Sequence, residues 1–151
     1  MAVSDTSYPA RADNPAIDDA QALMRGAARL LSQYGISAIP EFTLPCSRRA
    51  DLAGIGPKGE IVIVEIKSGI ADYRADEKWP EYFAWCDRFF FAVSDRFPRE
   101  VLPHETGLII ADGFGGAIIR ESPVQTLAPA RRKSLTLKFA RNAAERALRS
   151  L

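Results

Sequence analysis

The sequence is poor in the side chains that hold soft metals or staple small folds: it has two cysteines and one histidine among 151 residues. Cys46 and Cys86 stand forty positions apart, and His104 has no partner at ligand spacing. This excludes a zinc finger or ribbon and offers no disulfide framework. An excess of charge of one sign is missing too. The 20 Lys and Arg nearly cancel the 19 Asp and Glu, so affinity for a polyanion has to come from local patches. No apolar run approaches the ~20 residues that cross a bilayer. Met1–Asn14 lacks the basic start and apolar stretch of a secretion signal. The expectation is a protein of the cytoplasm with no membrane partner.

What is present is the composition of an ordinary globular domain, 47% apolar and 26% charged. Residues 1–13 read as a flexible N-terminal arm and 14–151 as one domain, long enough to bury roughly 70% of its unfolded surface. Asn14-Pro15 predicts a helix start, with Asp18 and Asp19 in the first turn and Gly35 as the stop. Ile17, Ala20, Met24, Ala27, Leu31 and Tyr34 repeat at helical spacing, with Leu23 and Leu30 widening the stripe. Strands are expected at Ala38–Leu44, Arg49–Ile55 and Ile61–Ile66, the last two closed by Gly56–Glu60. A polar connector, Ser68–Ala75, leads to a helix from Asp76 to about Cys86, with Pro80 tolerated near its first turn. Phe89–Val93 has the length of a buried strand. Leu108–Ala111 and Ala117–Arg120 form a second hairpin around Asp112–Gly116. A closing helix spans Pro129–Leu151, with Leu137, Ala140, Ala144, Leu148 and Leu151 inward. The result is a mixed α/β fold rather than regular βαβ alternation.

Ionisable residues interrupt the first hairpin. Side chains two apart on a strand share a face, so Glu65 and Lys67 lie with Ile61 and Ile63. If 56–60 form the loop, Ile55 pairs with Ile61, and Asp51 falls opposite Glu65, with Cβ atoms roughly 4.5–5.5 Å apart. Two carboxylates that close repel unless one takes a proton or a cation lies between them. Hard oxygen ligands favour Mg²⁺ or Mn²⁺, with the Ile66 carbonyl as a further ligand beside Asp51 and Glu65. Lys67 then has two open roles, helping to deprotonate an attacking water or stabilising transition-state charge. The competing interpretation is a solvent-facing hairpin with weak ion pairs. Val62, Val64 and Ile66 on one face and Ile61 and Ile63 on the other favour burial instead.

Asp51 with Glu65-Ile66-Lys67, in a helix–three strands–helix–strand order, resembles the PD-(D/E)XK nuclease superfamily. A longer run is similar to the bacterial MmcB family of DNA-repair proteins. It comprises Arg49-Ala50-Asp51, Gly56-Pro57-Lys58-Gly59, Val64 to Ser68, Asp72 to Asp76, Lys78-Trp79-Pro80, Arg88 to Val93 and Leu127 to Lys133. The resemblance implies a restriction-endonuclease-like core, followed here by a C-terminal hairpin and helix. It also implies a metal-dependent DNA-repair endonuclease with Asp51, Glu65 and Lys67 on the catalytic positions. Two departures stand out: Ala50 occupies the place of the motif's proline, and the first helix offers Gln21 and Arg25 where an acid often sits. Glu41, on the preceding strand, is the candidate substitute.

Arg48, Arg49, Arg74, Lys78, Arg131, Arg132 and Lys133 are the candidate phosphate contacts, positioning DNA without reading its sequence. The expected substrate is damaged, branched or single-stranded DNA. The alternatives are a catalytically inactive DNA-binding repair scaffold of the same fold and an RNA-processing nuclease. A homodimer and other repair proteins remain open as partners, with Phe114, Ile118 and Ile119 facing either a partner or the core.

Overall fold

The computed structural model describes residues 15–151; the expected arm 1–13 and the Asn14 cap lie outside them. Helix α1 (Pro15–Gln33) is followed by strands β1 (Ser37–Thr43), β2 (Arg49–Ile55) and β3 (Ile61–Ile66). A short helix α2 (Ile70–Ala75) and a 3-10 helix (Trp79–Trp85) lead to β4 (Arg88–Val93). Strands β5 (Gly107–Ala111) and β6 (Gly116–Arg120) and helix α3 (Pro129–Arg149) complete the chain. The six strands form one sheet in sequence order. The pairs β3/β4 and β4/β5 are parallel and the others antiparallel. This is the mixed α/β arrangement that the residue pattern implied and the restriction-endonuclease-like core that the resemblance implied. Among the described residues no helix is long and apolar enough to cross a membrane.

Both faces of the sheet are covered, so every residue of β3 is buried. On one face, α1 packs Leu23, Ala27, Leu30 and Leu31 against Leu52, Val62, Val64, Phe90, Ala92 and Ile109. Its stripe is rotated from the expected centre, leaving Tyr34 55% exposed. Gly35 ends the helix at φ +73, where the Ile36 N–H bonds the Leu31 carbonyl at 3.0 Å. A left-handed residue at this place is what glycine tolerates without a Cβ clash.

On the other face Ile61, Ile63, Phe89, Phe91 and Leu108 meet the aromatic 3-10 segment and α3. The expected helix from Asp76 to Cys86 is instead split. Asp76 closes α2, and the 3-10 turns begin at Trp79 with Pro80 in the first turn. A 3-10 run of this length is uncommon on its own. Here, ring packing accompanies it: Trp79 lies 5.2 Å from Phe91 and Phe83 5.4 Å from Phe89, centroid to centroid.

The phase of α3 also differs from the expected one. Leu137 and Leu148 are 60% and 68% exposed, and Ala140, Ala144 and Leu151 face solvent with them. The inward line runs Arg132, Leu135, Phe139 and Arg146, spaced at three, four and seven. Two arginines set that phase. Arg132 grips the buried Asp87 at 2.6 and 2.7 Å, and Arg146 donates to the backbone carbonyls of Pro40 and Glu41.

Asp87 is the hub of that docking. It also accepts the backbone N–H groups of Ile61 at 2.7 Å and Leu127 at 3.1 Å. Burial alone would raise its carboxyl, but Arg132 and the two N–H donors outweigh that and hold it below the usual range. Asp87→Ala should cost about 3–5 kcal/mol in denaturant unfolding, because Arg132 and two N–H groups lose their acceptor. The contribution is present above the unfolded-state pKa of about 3.9 and is lost as pH falls through the lower folded value. Wild-type stability should therefore fall more steeply below that pKa than stability of Asp87→Ala.

Candidate functional site

The β2–β3 hairpin fixes the register from its turn. The Gly56 N–H bonds the Glu60 carbonyl at 2.9 Å, and Gly59 sits at φ +87. Pairing then runs from Ile55↔Ile61 to Leu52↔Val64. One step further, at Asp51 and Glu65, the ladder ends and the carboxylates replace it. The Asp51 N–H donates to Glu65 Oε1 at 3.0 Å, and the Ile66 N–H donates to Asp51 Oδ2 at 2.8 Å. The next N–H, of Lys67, bonds Ala92 on β4. The N–H and C=O of one strand residue point the same way, so the Ile66 carbonyl also turns towards the gap that Asp51 occupies.

This crowding is visible in the acid strengths. Burial first, and then the Asp51 charge, push Glu65 up to about 8, although the Asp51 N–H and Lys67 pull the other way. Burial also raises Asp51, against the Ile66 N–H and Lys67. At neutral pH the pair therefore retains a proton, held mainly on Glu65.

Lys67 follows on the same strand face and is 4% exposed. Its Nζ lies 2.8 Å from Asp76 Oδ2. Asp76 also accepts the Lys78 N–H at 3.1 Å and reaches Arg48 at 3.4 Å. Burial would raise Asp76, but the Lys67 hydrogen bond and charge prevail and hold it low. The Arg48 guanidinium stacks 4.8 Å from the Tyr82 ring, and the Tyr82 hydroxyl donates to the Arg49 carbonyl at 2.9 Å. Burial, and after it the Glu65 charge, raise that phenol. Arg48, Lys67, Asp72, Asp76 and Lys78 line a cleft of about 470 Å³ beside the carboxylates.

The structure thus gathers Asp51, Glu65, Ile66 and Lys67, with Arg48 close by. Glu41 is not joined to either carboxylate by a hydrogen bond. It would register opposite Asp51, but pairing skips from Pro40↔Leu52 to Phe42↔Ala50. Its backbone is left-handed at φ 52, and its side chain is exposed. Arg49, Arg74, Lys78 and Lys133 are exposed. Arg131 is laid over Trp85 at 4.2 Å and bonds the Ala84 carbonyl at 2.7 Å. Arg132 is committed to Asp87.

Asp76 is the residue that sequence reasoning missed as part of this cluster, because it reads as a helix cap. The density of acids in the Asp72-Tyr73-Arg74-Ala75-Asp76 connector was the available signal.

Residues 7–151 match the family described as "DNA repair protein MmcB-like". The chain belongs to the MmcB-like family. It is also similar to a solved structure, the SPO1766 protein of unknown function from Silicibacter pomeroyi. That likeness has 51% identity and a TM-score of 0.83, covering 87% of this chain and 91% of that one. No curated protein matches the chain.

In this MmcB-like chain the donors suit a hard divalent ion. Two carboxylates raised by burial, Glu65 further by the Asp51 charge and Asp51 by that of Asp72, would be relieved by a cation, and the Ile66 carbonyl turns towards the same gap. Among the described residues no group of three or more His, Cys, Asp or Glu converges as a metal site. Mg²⁺ commonly takes only one or two carboxylates and fills its shell with water and phosphate oxygens.

The raised Glu65 makes a prediction for the metal-free protein. Its carboxyl is easier to ionise in the unfolded chain, so its contribution to stability is fully present below about 4.5 and is lost as pH rises towards about 8. Unfolding free energy in EDTA should therefore decline across that window, by at most about 1.4 kcal/mol per pH unit for one proton. Glu65→Gln should flatten the slope in pH-dependent denaturant titrations.

Proposed function

We propose that this protein is a divalent-metal-dependent endonuclease acting in DNA repair on damaged, branched or single-stranded DNA. The observation that carries the reading is the reciprocal pair of Asp51 and Glu65, both raised in pKa, with the buried Lys67 ammonium on the next residue of that strand face. Asp51, Glu65 and the Ile66 carbonyl would hold Mg²⁺ or Mn²⁺. When bound, the ion would polarise a phosphodiester and acidify a water.

The chain's own residues supply the remainder. Asp76 fixes the Lys67 ammonium, which can orient the attacking water or offset charge growing on the phosphoryl oxygens. Lys67 itself keeps Asp76 ionised, with the Lys78 N–H and the Arg48 charge adding to the effect. Exposed Arg49, Arg74, Lys78 and Lys133 would meet phosphates without reading bases. The family's description as DNA repair proteins supports DNA over RNA as the polymer. It also supports other repair proteins as partners.

A second reading, a DNA-binding repair scaffold without turnover, draws on the exposed position of Glu41, which leaves two acids in the gap. Cleavage separates the two. With Mn²⁺ and labelled branched, nicked and single-stranded DNA, the wild-type protein should cut at least one substrate. Asp51→Asn and Lys67→Ala should each lower the rate by about 10²-fold or more. Metal-independent binding with no cutting of any substrate would select the scaffold. Full activity in both variants would place the chemistry elsewhere.

A further inference from the structure

The tip of the β5–β6 hairpin presents a large aromatic ring that the carboxylate site does not use. Phe114 is 82% exposed, yet the turn that carries it is closely held. Asp112 Oδ1 accepts the N–H groups of Phe114 at 2.8 Å and Gly115 at 3.0 Å. The Asp112 N–H bonds the Gly115 carbonyl at 2.9 Å. Arg29 of α1 donates to the Phe114 carbonyl at 3.1 Å. The turn also rests on bare backbone, since a Cβ at Gly26 would collide with the Asp112 and Gly115 carbonyl oxygens.

A lone exposed phenylalanine needs no explanation by itself. Its surroundings supply one. Arg25 and Arg29 stand one helical turn apart on α1, and both are exposed. An Arg25 Nη lies 4.0 Å from where a Cβ on Gly113 would stand, so the two arginines flank the tip. Phe114 also lines an open cavity of about 1020 Å³ with Ser68, Gly69, Arg96, Asp95 and Arg99, the last two paired at 3.3 Å; Arg25 and Arg29 stand outside that lining. Ser68 and Gly69 directly follow Lys67, so this cleft adjoins the carboxylate end of β3. It opens at the C-terminal edge of the parallel strands, where α/β sheets commonly present their ligands.

An exposed ring on a firmly held turn, with two guanidinium groups beside that turn, suits an unpaired base flanked by phosphates. Every base offers a π-face, whereas a continuous duplex keeps its faces stacked inside. A purely apolar protein partner would leave the arginines unmatched. We propose that Phe114 is a stacking platform for an unpaired nucleobase, with Arg25 and Arg29 on the adjacent phosphates, so that the cleft takes a single-stranded nucleic-acid segment. The direction of the strand towards Lys67 rests on the nuclease reading; the binding does not.

The test is fluorescence anisotropy with a labelled oligodeoxythymidine strand and a blunt duplex, both in EDTA so that nothing is cut. Phe114→Ala should weaken single-strand binding by about tenfold or more and change duplex binding less than about twofold. Phe114→Trp should restore it, with the added indole emission quenched when the strand binds. Replacing Arg25 and Arg29 by Gln should reduce the slope of log affinity against log salt by about 1.4. Wild-type-like single-strand binding by Phe114→Ala, or an equal loss for both substrates, overturns the proposal and turns the tip into a candidate protein surface.

Cleavage by wild type and Asp51→Asn, measured in parallel, keeps the two claims apart. Phe114-dependent binding without cutting leaves the platform standing and removes the nuclease. Cutting together with undiminished binding by Phe114→Ala does the reverse.

Discussion

Where β2 and β3 diverge, two carboxylates take over hydrogen bonds that a continuing ladder would have made, and the site depends on that substitution. Asp51 accepts from the backbone of β3 and Glu65 from the backbone of β2. Neither acid can be moved without leaving a backbone N–H unsatisfied. Burying two acids side by side is costly, and three things offset the cost here: the N–H donors, the nearby Lys67 ammonium, and the proton that Glu65 retains. The same divergence turns the Ile66 carbonyl into the gap and sets Lys67 at its rim. A slip of one residue in the hairpin would send Glu65 and Lys67 to the α1 face.

The basic C-terminal helix illustrates how poorly charge count reports function. Arg131, Arg132 and Arg146 could all be taken for phosphate ligands, yet each is spent on the protein itself. Arg132 holds Asp87, Arg146 holds the β1 carbonyls, and Arg131 covers Trp85. Arg146 has a further effect, because it secures the backbone at Pro40 and Glu41, where Glu41 adopts a left-handed conformation. Such a conformation costs a non-glycine residue about 1–3 kcal/mol and persists only when its surroundings enforce it.

Much of the core was legible in the sequence because it rests on local rules. The five-residue turn fixed the 55/61 pairing, period-two alternation placed Glu65 and Lys67 on one face, and the Phe89–Val93 run marked a strand buried on both sides. The failures share a cause: each depended on a contact between elements that no local pattern encodes. Helix α3 carries apolar residues on two faces, and the choice between them was made by Asp87, 45 positions before Arg132. The split of the second helix follows from rings stacking on Phe89 and Phe91. Asp76 read as a cap because no strand or helix period predicts that the chain returns it to Lys67. The MmcB resemblance supplied the family without supplying these contacts.

Lys67 shows why that last contact matters for chemistry. An ammonium beside two acids would ordinarily settle on one of them, and Asp76 prevents this by offering a carboxylate free of competition from a second acid. Its place is secured in turn, since Trp79 packs on Phe91 and Arg48 bridges Asp76 to the 3-10 helix through Glu81. Arg48 shares its charge between Asp76 and Glu81, and Asp72 adds a further carboxylate whose charge raises Asp51. On the nuclease reading, a divalent cation entering the gap would release the Glu65 proton, as ligand ionisation requires. Two positive charges would arrive and one would leave. The local charge would then rise by one unit, lessening the repulsion that a phosphodiester meets from Asp51, Asp72 and Asp76. The Glu65 carboxyl thus has two uses: protonated, it limits repulsion with Asp51, and ionised, it would supply an oxygen ligand.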